Sequence, residues 1–362
     1  MTYSIKIFDR LLTNNLTSIT SENFWDLSFS NEIGKGGTAE FKMQLRNEKA
    51  NTTNLKLYNK IKIYKGGIFK WIGYIDNLSC DLNIITIRCS GMLNYLQKRN
   101  VSRSTTPGNS LYNEIVATLN SINSIDNTGI GIGTIDTTIN ITARIDLTDI
   151  SGLQAFEKLA NLQNRIIRIN EDGNLDVLSA LGIDKSSDVV FRYQIKQLPM
   201  ANLLKYEVEI DGKEMANVII GKAENLSVTK TDATSISQWG RLEHTENFGG
   251  TTGSSDLQNE TQSYLDNHKQ EVIIPTVEPN VLKIDIESFG IGDTVKVILD
   301  NGFIDLNHNY LITRIETRLN NSGLESINVS LTPVGKYFMP SNFFRSINKM
   351  DKRLKTIESI VL

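Results

Sequence analysis

Cysteine is almost absent from this chain of 362 residues, which contains only Cys80 and Cys89. Two thiols cannot build the disulfide framework of a small secreted domain, and they cannot supply the four ligands of a zinc site. Their positions allow one hairpin to bring them close together. We interpret them as two buried thiols that pack as small hydrophobic side chains.

Long hydrophobic runs are absent too. No apolar stretch approaches the ~20 residues of a transmembrane helix. The first residues, MTYSIKIFDRLL, alternate like a strand, and Asp9 and Arg10 interrupt the apolar run that a signal peptide requires. The sequence therefore predicts a soluble globular protein that makes no contact with a membrane.

Positive charge is not in excess, because 38 Lys and Arg stand against 41 Asp and Glu, a formal net charge of −3. An open nucleic-acid-binding face needs clustered basic residues that neutralise phosphates. This composition argues against such a face. It is compatible with a surface past which DNA slides without sticking.

Histidine is scarce, and His244, His268 and His308 have none of the spacings of metal ligands. Two of them have an acidic neighbour, in the pairs Glu243–His244 and Asp305–His308, which we expect on solvated loops. Neither pair has a candidate nucleophile beside it, so no catalytic triad is predicted.

Two glycine-rich stretches have the wrong spacing for nucleotide binding. IGKGGT, from Ile33, lacks the first glycine of a phosphate-binding loop and is interpreted as a tight turn between strands. GIGIG, from Gly129, does not match the dinucleotide fingerprint and is expected to be a loop or a glycine-rich strand. We therefore expect no catalytic residue, no cofactor, no metal and no enzymatic activity.

What the chain does have is strand patterning over residues 1–100. Five segments alternate apolar and polar residues: YSIKIF, AEFKMQL, KIKIYK, FKWIGYI and IITIRC. The glycine turns GKGG and KGG separate them. Several short strands at this spacing predict a first antiparallel β-barrel domain.

Residues 101–200 have the pattern of a small α+β domain. After the break at Pro107–Gly108, a helix is predicted from Ser110, and a second helix is predicted with Ser151 as its N-cap. A hairpin with Asp172–Gly173 at its turn follows.

Strand patterning returns over residues 201–335, which predicts a second β-barrel domain. A helical insert at about 250–270 has Ser255 and Gln258 in a capping-box pattern. The predicted strands are YEVEID, NVIIGK, EVIIPTV, VLKIDIE, TVKVIL, YLITRIE and SINVSLTP. The predicted fold is thus mainly β with α+β inserts: two similar barrels, a small α+β domain and a C-terminal helix.

One hairpin pattern occurs near both ends of the chain. Residues 59–63, NKIKI, align with residues 293–297, DTVKV, and residues 73–75, GYI, then fall near residues 310–312, YLI. Two related barrels explain this repeat. Two ordinary hairpins in one β-rich protein explain it equally well on pattern alone.

The C-terminal helix, residues 336–362, has an apolar stripe at spacings of four and three residues. Its members are Phe343, Ile347, Met350, Leu354, Ile357 and Val361. This is the a/d pattern of a coiled coil, in which Arg353 and Glu358 fall at g and e and pair between parallel helices. An amphipathic helix docked on its own domain is the alternative, because so short a run hardly separates periods of 3.5 and 3.6 residues.

Several ordered motifs together resemble those of the tail-hub (baseplate hub, or tail-tip) proteins of tailed bacteriophages and related injection machines. They are NEIGKGGTAEFKMQL, NKIKIYKGGIFKWIGYIDNL, CSGMLNYLQKR, ANVIIG, SISQWGRLE and FGIGDTVKV. Trp239 stands where the family usually has Tyr.

The resemblance implies a structural virion protein at the tail tip, assembled in the host cytoplasm. It implies a homotrimer whose two barrels per chain present six similar surfaces to a hexameric tail tube or distal-tail ring. A tip spike, fibre or receptor-binding protein is the implied partner on the other side, and phage DNA passes through the lumen without specific binding. Either a minimal hub or the hub portion of a longer protein fits.

Two other readings stay open. A cell-wall carbohydrate-binding or hydrolysing tail-tip protein would need an aromatic platform, but Trp25, Trp71 and Trp239 lie far apart in the sequence. A receptor-binding or adaptor module near the tail tip differs from a hub mainly in its place in the virion.

Overall fold

The computed structural model describes residues 2–142, 144–223, 225–248, 253–320 and 323–334. Its helices are α1 (Met92–Tyr95), α2 (Leu111–Ile125), α3 (Gly152–Asn161), α4 (Ala233–Trp239) and α5 (Ser254–His268), with 3-10 turns at Leu96–Lys98 and Ile195–Met200. Its strands are β1 (Tyr3–Phe8), β2 (Asn15–Thr20), β3 (Trp25–Glu32), β4 (Thr38–Gln44), β5 (Lys60–Lys65), β6 (Ile68–Asp81), β7 (Ile84–Gly91), β8 (Gly131–Ile135), β9 (Ile166–Ile169), β10 (Asn174–Leu178), β11 (Val190–Gln194), β12 (Leu203–Asp211), β13 (Val218–Ala223), β14 (Leu226–Thr231), β15 (Glu243–Asn247), β16 (Val272–Pro279), β17 (Thr294–Asp300), β18 (Asp305–Leu319) and β19 (Glu325–Pro333).

Most of these strands belong to one 13-stranded sheet, which confirms a mainly β fold. Its order is β12-β16-β19-β18-β3-β4-β7-β6-β5-β1-β2, and β17 pairs with both β18 and β11. Two three-stranded sheets, β8-β10-β9 and β14-β13-β15, complete the described strands.

Strand β3 lies between the two halves of the large sheet. On one side it pairs with β4, and on the other it runs antiparallel to β18, from Arg314 opposite Glu32 to Leu319 opposite Leu27. Strand β18 is long enough to pair with two strands in succession. Its first half pairs with β17, and its second half pairs with β3. The first and last thirds of the chain are thus joined by a continuous hydrogen-bonded ladder.

By its contacts the described part of the chain divides into a larger unit, residues 2–206 with 277–331, and a smaller unit, residues 207–276 with 332–334. The larger unit has two main hydrophobic clusters. One lies under strands β1 and β3–β7 and includes Ile5, Phe41 and Trp71. The other surrounds α2 and α3. Burying one such side chain contributes about 1.5–3 kcal/mol, so each cluster stabilises its part of the unit.

Strand β5 departs from the alternation that its sequence, KIKIYK, predicts. All six of its residues are buried. Ile61 and Ile63 lie in the cluster under the sheet, and the opposite face, with Lys60, Lys62 and Tyr64, is covered as well. The expected polar, solvated face of this strand is therefore absent.

The α+β segment follows its local signals closely. Ser110 Oγ accepts a hydrogen bond from Asn113 N and caps α2. Ser151 and Gln154 form a full capping box at the start of α3. The β9–β10 hairpin turns at Gly173, which has a φ of 87°, a conformation that glycine adopts readily. GIGIG is partly strand, because β8 begins at Gly131.

The smaller unit packs α5 against its sheet through Ala216, Ile219 and Leu265. The helix was predicted, but its cap is corrected: the N-cap is Gly253, and no side chain caps it. Ser255 lies one residue inside the helix, so it does not have the extended backbone that an N-cap needs.

The predicted strand VLKIDIE is wrong, since residues 281–287 form turns. Asn280 explains the difference. Its carbonyl oxygen accepts from Lys283 N and Ile284 N, and its side-chain oxygen accepts from Leu282 N. Three amides that a strand would offer to a neighbour are thereby captured locally.

The prediction for the cysteines holds only for Cys89, which is buried, since Cys80 is exposed. The register between β6 and β7 places Cys80 opposite Ile85 and Cys89 opposite Ile75. The two thiols therefore do not face each other across the hairpin.

Candidate assembly surfaces

The two hairpins that match in sequence also match in register. Ile61 of β5 lies opposite Gly73 of β6, and Val295 of β17 lies opposite Tyr310 of β18. These are the pairs that the sequence alignment makes equivalent. The side-chain period of a strand is two, so a slip of one residue would have exchanged the faces of one hairpin.

The two hairpins also begin with the same backbone hydrogen bond and the same sign of φ. Tyr58 N donates to Ile75 O at 2.8 Å, and Gly292 N donates to Ile312 O at 2.9 Å. Both donor residues have a positive φ, 71° for Tyr58 and 87° for Gly292. A left-handed tyrosine is uncommon, whereas the aligned Gly292 adopts this conformation readily. The two hairpins thus begin with the same backbone conformation and the same hydrogen bond.

The neighbouring strands extend the repeat. The order β3-β4-β7-β6-β5-β1 corresponds to β12-β16-β19-β18-β17-β11. The outermost pair differs, because β1 is antiparallel to β5 whereas β11 is parallel to β17.

Each repeat presents apolar side chains at the loops of its central strand. At one end of that strand Ile68 is 56% exposed in the first repeat, and Phe303 is 88% exposed in the second. At the other end Leu82 is 92% exposed and Leu324 is 68% exposed. Single exposed apolar residues are common on protein surfaces. What distinguishes these four is that they occupy equivalent loops in the two repeats.

A buried ionic cluster joins the two repeats inside the larger unit. Lys65 Nζ of β5 lies 2.7 Å from Glu325 Oε2 of β19 and 3.1 Å from Glu287 Oε1. Tyr3 donates its hydroxyl to Glu325 Oε1 at 2.6 Å, and Lys70 pairs with Glu287. The cluster is a structural joint, because it connects β1, β5 and β6 to the second half of the chain.

The pKa shifts of this cluster agree with its contacts. Burial opposes ionisation of Glu287, but the hydrogen bonds and charges of Lys70 and Lys65 outweigh it and lower the pKa of that carboxyl. Burial, together with the adjacent Glu325 carboxylate, raises the pKa of Tyr3. Tyr3 therefore remains a neutral hydroxyl that donates to Glu325.

A cleft of about 320 Å³ opens beside the cluster, lined by aromatic side chains that include Phe29, Phe69 and Phe289. The charged residues that line it are paired, for instance Lys35 with Glu32 and Lys65 with Glu325. The cleft thus combines aromatic side chains with charged side chains that are already paired.

The environment of Lys60 is a feature that no sequence pattern indicates. This lysine is 0% exposed, and within the described residues its Nζ has no hydrogen-bond partner. Nζ lies 3.7 Å from the centroid of the Tyr95 ring and 5.3 Å from that of Tyr74, on which Tyr58 stacks. Burial first, and then the charge of Arg10, lowers the pKa of Lys60 to about 7.

The histidines lie on regular elements rather than on the predicted loops, with His244 in β15 and His308 in β18. Tyr264 stacks between His244 and His268, with ring centroids 5.3 and 4.0 Å away. Within the described ranges no three His, Cys, Asp or Glu residues are arranged to hold a metal ion. In the same part of the chain, no helix is both long and apolar enough to cross a membrane.

IGKGGT forms the tight turn between β3 and β4 that was predicted. Gly91 explains why small residues meet here, since a Cβ on it would lie 1.4 Å from Gly36 O. The predicted oligomerisation residues lie outside the described part of the chain: Phe343, Ile347, Met350, Arg353, Leu354, Ile357, Glu358 and Val361.

Known structures share this fold. A 43 kDa tail protein of prophage MuSo2 from Shewanella oneidensis matches with a TM-score of 0.68 and 14% identity, over 92% of this chain and 98% of that one. A tail protein from Neisseria meningitidis MC58 matches with a TM-score of 0.63 and 11% identity, over 93% and 98%. Prophage tail protein gp18 from Listeria monocytogenes EGD-e matches with 0.60 and 15%, over 98% and 100%.

No protein-family model and no curated protein matches the chain. At 15% identity or less, the structural likenesses establish the fold alone. The chain has the fold of phage tail proteins, which confirms at that level the resemblance identified in the sequence.

Proposed function

We propose that this chain is a structural, non-enzymatic virion protein that forms a trimeric hub at the tail tip. It joins a hexameric tail tube or distal-tail ring to a tip spike, fibre or receptor-binding protein, and phage DNA passes through its centre. The fold shared with phage tail proteins supports the tail assignment.

The observation that carries the hub assignment is the repeat itself. One chain contains two hairpins of the same register, with the exposed apolar residues Ile68 and Phe303 at their turns. Three chains around a closed axis present six such loops. This is the number that a six-fold ring requires, so the repeat reconciles three-fold and six-fold symmetry in one particle.

The proposal extends the repeat to two similar barrel domains and assigns the C-terminal stripe to the three-fold axis. There Leu354 and Ile357 of three copies would pack together. We see no observation that favours the carbohydrate-binding alternative. Trp71, one of the three tryptophans, is 1% exposed and unavailable for a sugar platform.

The test is the mass of the purified protein, measured by light scattering during size-exclusion chromatography over a dilution series. The proposal expects a stable particle of three times the 40.6 kDa chain mass. Electron microscopy of that particle should then show a ring with six similar peripheral features. If the full chain and a variant that lacks the C-terminal segment are both monomeric at all concentrations, the proposal is contradicted.

A further inference from the structure

An apolar patch on the larger unit has no role in the fold. It is formed by the 3-10 turn Ile195–Met200, the start of β12 and the turn after Asn280. Its large side chains and their exposed fractions are Ile195 (52%), Leu198 (50%), Met200 (60%), Leu204 (63%) and Leu282 (91%). No residue of that 3-10 turn is buried, so its apolar residues serve no hydrophobic core.

Hydrogen bonds hold the backbone of the segments that form the patch. Asn202 uses both side-chain atoms on β11: Nδ2 donates to Val190 O, and Oδ1 accepts from Arg192 N. Its carbonyl oxygen accepts from Asn280 N at 2.8 Å, and Lys283 Nζ donates to Ala201 O at 2.7 Å. The exposed apolar residues therefore stand on a preorganised scaffold, which lowers the entropic cost of binding a partner.

Basic side chains accompany the patch. Lys196 and Lys205 are both exposed, and neither has an ion pair within the described ranges. An apolar centre with a positive rim selects a partner that offers an apolar knob among negative charges.

The smaller unit of the chain has the complementary net charge and an exposed aromatic side chain. Residues 207–276 carry twelve Asp and Glu against five Lys and Arg, a net charge of −7 in a chain whose total is −3. On this smaller unit Trp239 is 43% exposed at the end of α4. Trp is among the residues that contribute most to interface affinity.

Hydrogen bonds hold the end of the helix that carries Trp239. The buried Asn217 donates from Nδ2 to Gly240 O at 2.7 Å and to Ser235 Oγ at 3.2 Å. Ser235 Oγ in turn donates to Lys269 O at 2.6 Å. The exposed indole is thus presented by a rigid helix end.

We infer that the apolar patch receives the acidic unit of a second copy of this chain, with Trp239 of that copy packed against Leu198, Met200 and Leu282. The two surfaces differ, so the contact is head-to-tail. Repetition around an axis closes it into a ring. This inference rests on the proposed trimer and assigns one of its interfaces.

The test uses single cysteines on two differently tagged, full-length chains that are co-expressed. Cys80, the exposed native thiol, is replaced by serine in both. One chain carries Trp239→Cys and the other Leu282→Cys. We expect oxidation to give a disulfide-linked species with both tags, as only a contact between two copies can form it. The matched control places the cysteine at Ile125, which is 69% exposed but outside the patch, and should not cross-link.

A second measurement separates the charge contribution from folding. Lys196→Glu with Lys205→Glu should weaken self-association at least tenfold at low salt, with a smaller effect at high salt because screening removes it. The melting temperature of the dissociated chain should be unchanged, since both lysines are exposed. If the protein is a trimer that forms no cross-link and whose self-association does not respond to the charge reversal, this inference is wrong. The proposed hub is then unaffected. A monomeric wild-type protein overturns both.

Discussion

Replacing Lys60 with methionine should stabilise the protein, and the gain should depend on pH. Lys60 is fully buried, and in the described structure its Nζ faces the rings of Tyr95 and Tyr74 without a hydrogen-bond partner. Methionine fills a similar volume with an unbranched apolar chain. The variant therefore keeps the packing and removes the cost of burying an amine.

The magnitude follows from the pKa. Burial lowers the pKa of Lys60 from 10.5 to about 7. Each tenfold change in proton affinity is worth about 1.4 kcal/mol, so the cost of the charged amine in the folded state is about 5 kcal/mol before relaxation.

The sign of the pH dependence is fixed by the depressed pKa. Below pH 7 the amine is protonated in the folded and the unfolded chain, and the folded state bears the full cost. Above pH 10.5 the amine is neutral in both states and the cost disappears. Between these limits the unfolded chain binds more protons, so the free energy of unfolding of the wild type rises with pH. The variant lacks this contribution.

The assay is urea unfolding followed by tryptophan fluorescence, at one fixed protomer concentration and at pH 6, 7, 9 and 10. We expect the free-energy difference between Lys60→Met and wild type to shrink by about 3–4 kcal/mol from pH 7 to pH 10. Lys56→Met, at an exposed position four residues earlier, should show no such trend. A difference that does not change with pH, or a variant less stable than wild type throughout, would refute the reasoning.

Three further predictions address the joint, the repeat and the C-terminal stripe. Glu325→Gln leaves Lys65 with one carboxylate instead of two, and should lower the free energy of unfolding by about 3 kcal/mol in chemical denaturation. Gly292→Ala should cost at least 1–3 kcal/mol by the same measurement, because φ is 87° there and a Cβ would meet Leu181 Cβ at 2.6 Å. Leu354→Asp with Ile357→Asp should disperse the oligomer in light scattering, whereas Thr356→Asp, off the stripe, should leave it intact. A particle that stays intact in the double variant would show that the stripe docks on its own chain.

Local patterning explains most of what could be predicted. Strands with one buried face, such as β1 and β17, alternate cleanly in sequence and were found. The capping box at Ser151 and the hairpin turn at Gly173 follow from chemistry within a few residues. The equivalence of the two hairpins could also be predicted in register, because their alternation fixes which side chains share a face.

The strands that were missed or wrongly predicted have physical causes of two kinds. Strands β14 and β15 have mostly polar sequences and bury little of either face, so their alternation carries no hydrophobic signal. VLKIDIE has the signal, but the turn at Asn280 overrides it. Local sequence is a weak guide wherever a side chain competes for the backbone amides.

The ionic joint and the buried lysine could not be predicted at all. Tyr3 and Glu325 meet across 322 positions of sequence, and no local pattern encodes such a contact. Lys60 occupies what the alternation of KIKIYK marks as a solvated position. Only the tertiary structure, which covers both faces of β5, shows that the position is buried.

The ladder between β3 and β18 has a mechanical consequence. Six aligned residue pairs connect these antiparallel strands, and no linker separates the two repeats at this point. A force that pulls the repeats apart along the strand direction loads these hydrogen bonds in shear, so they must rupture together rather than one after another. At this ladder the chain is therefore expected to resist such a load through all six residue pairs at once.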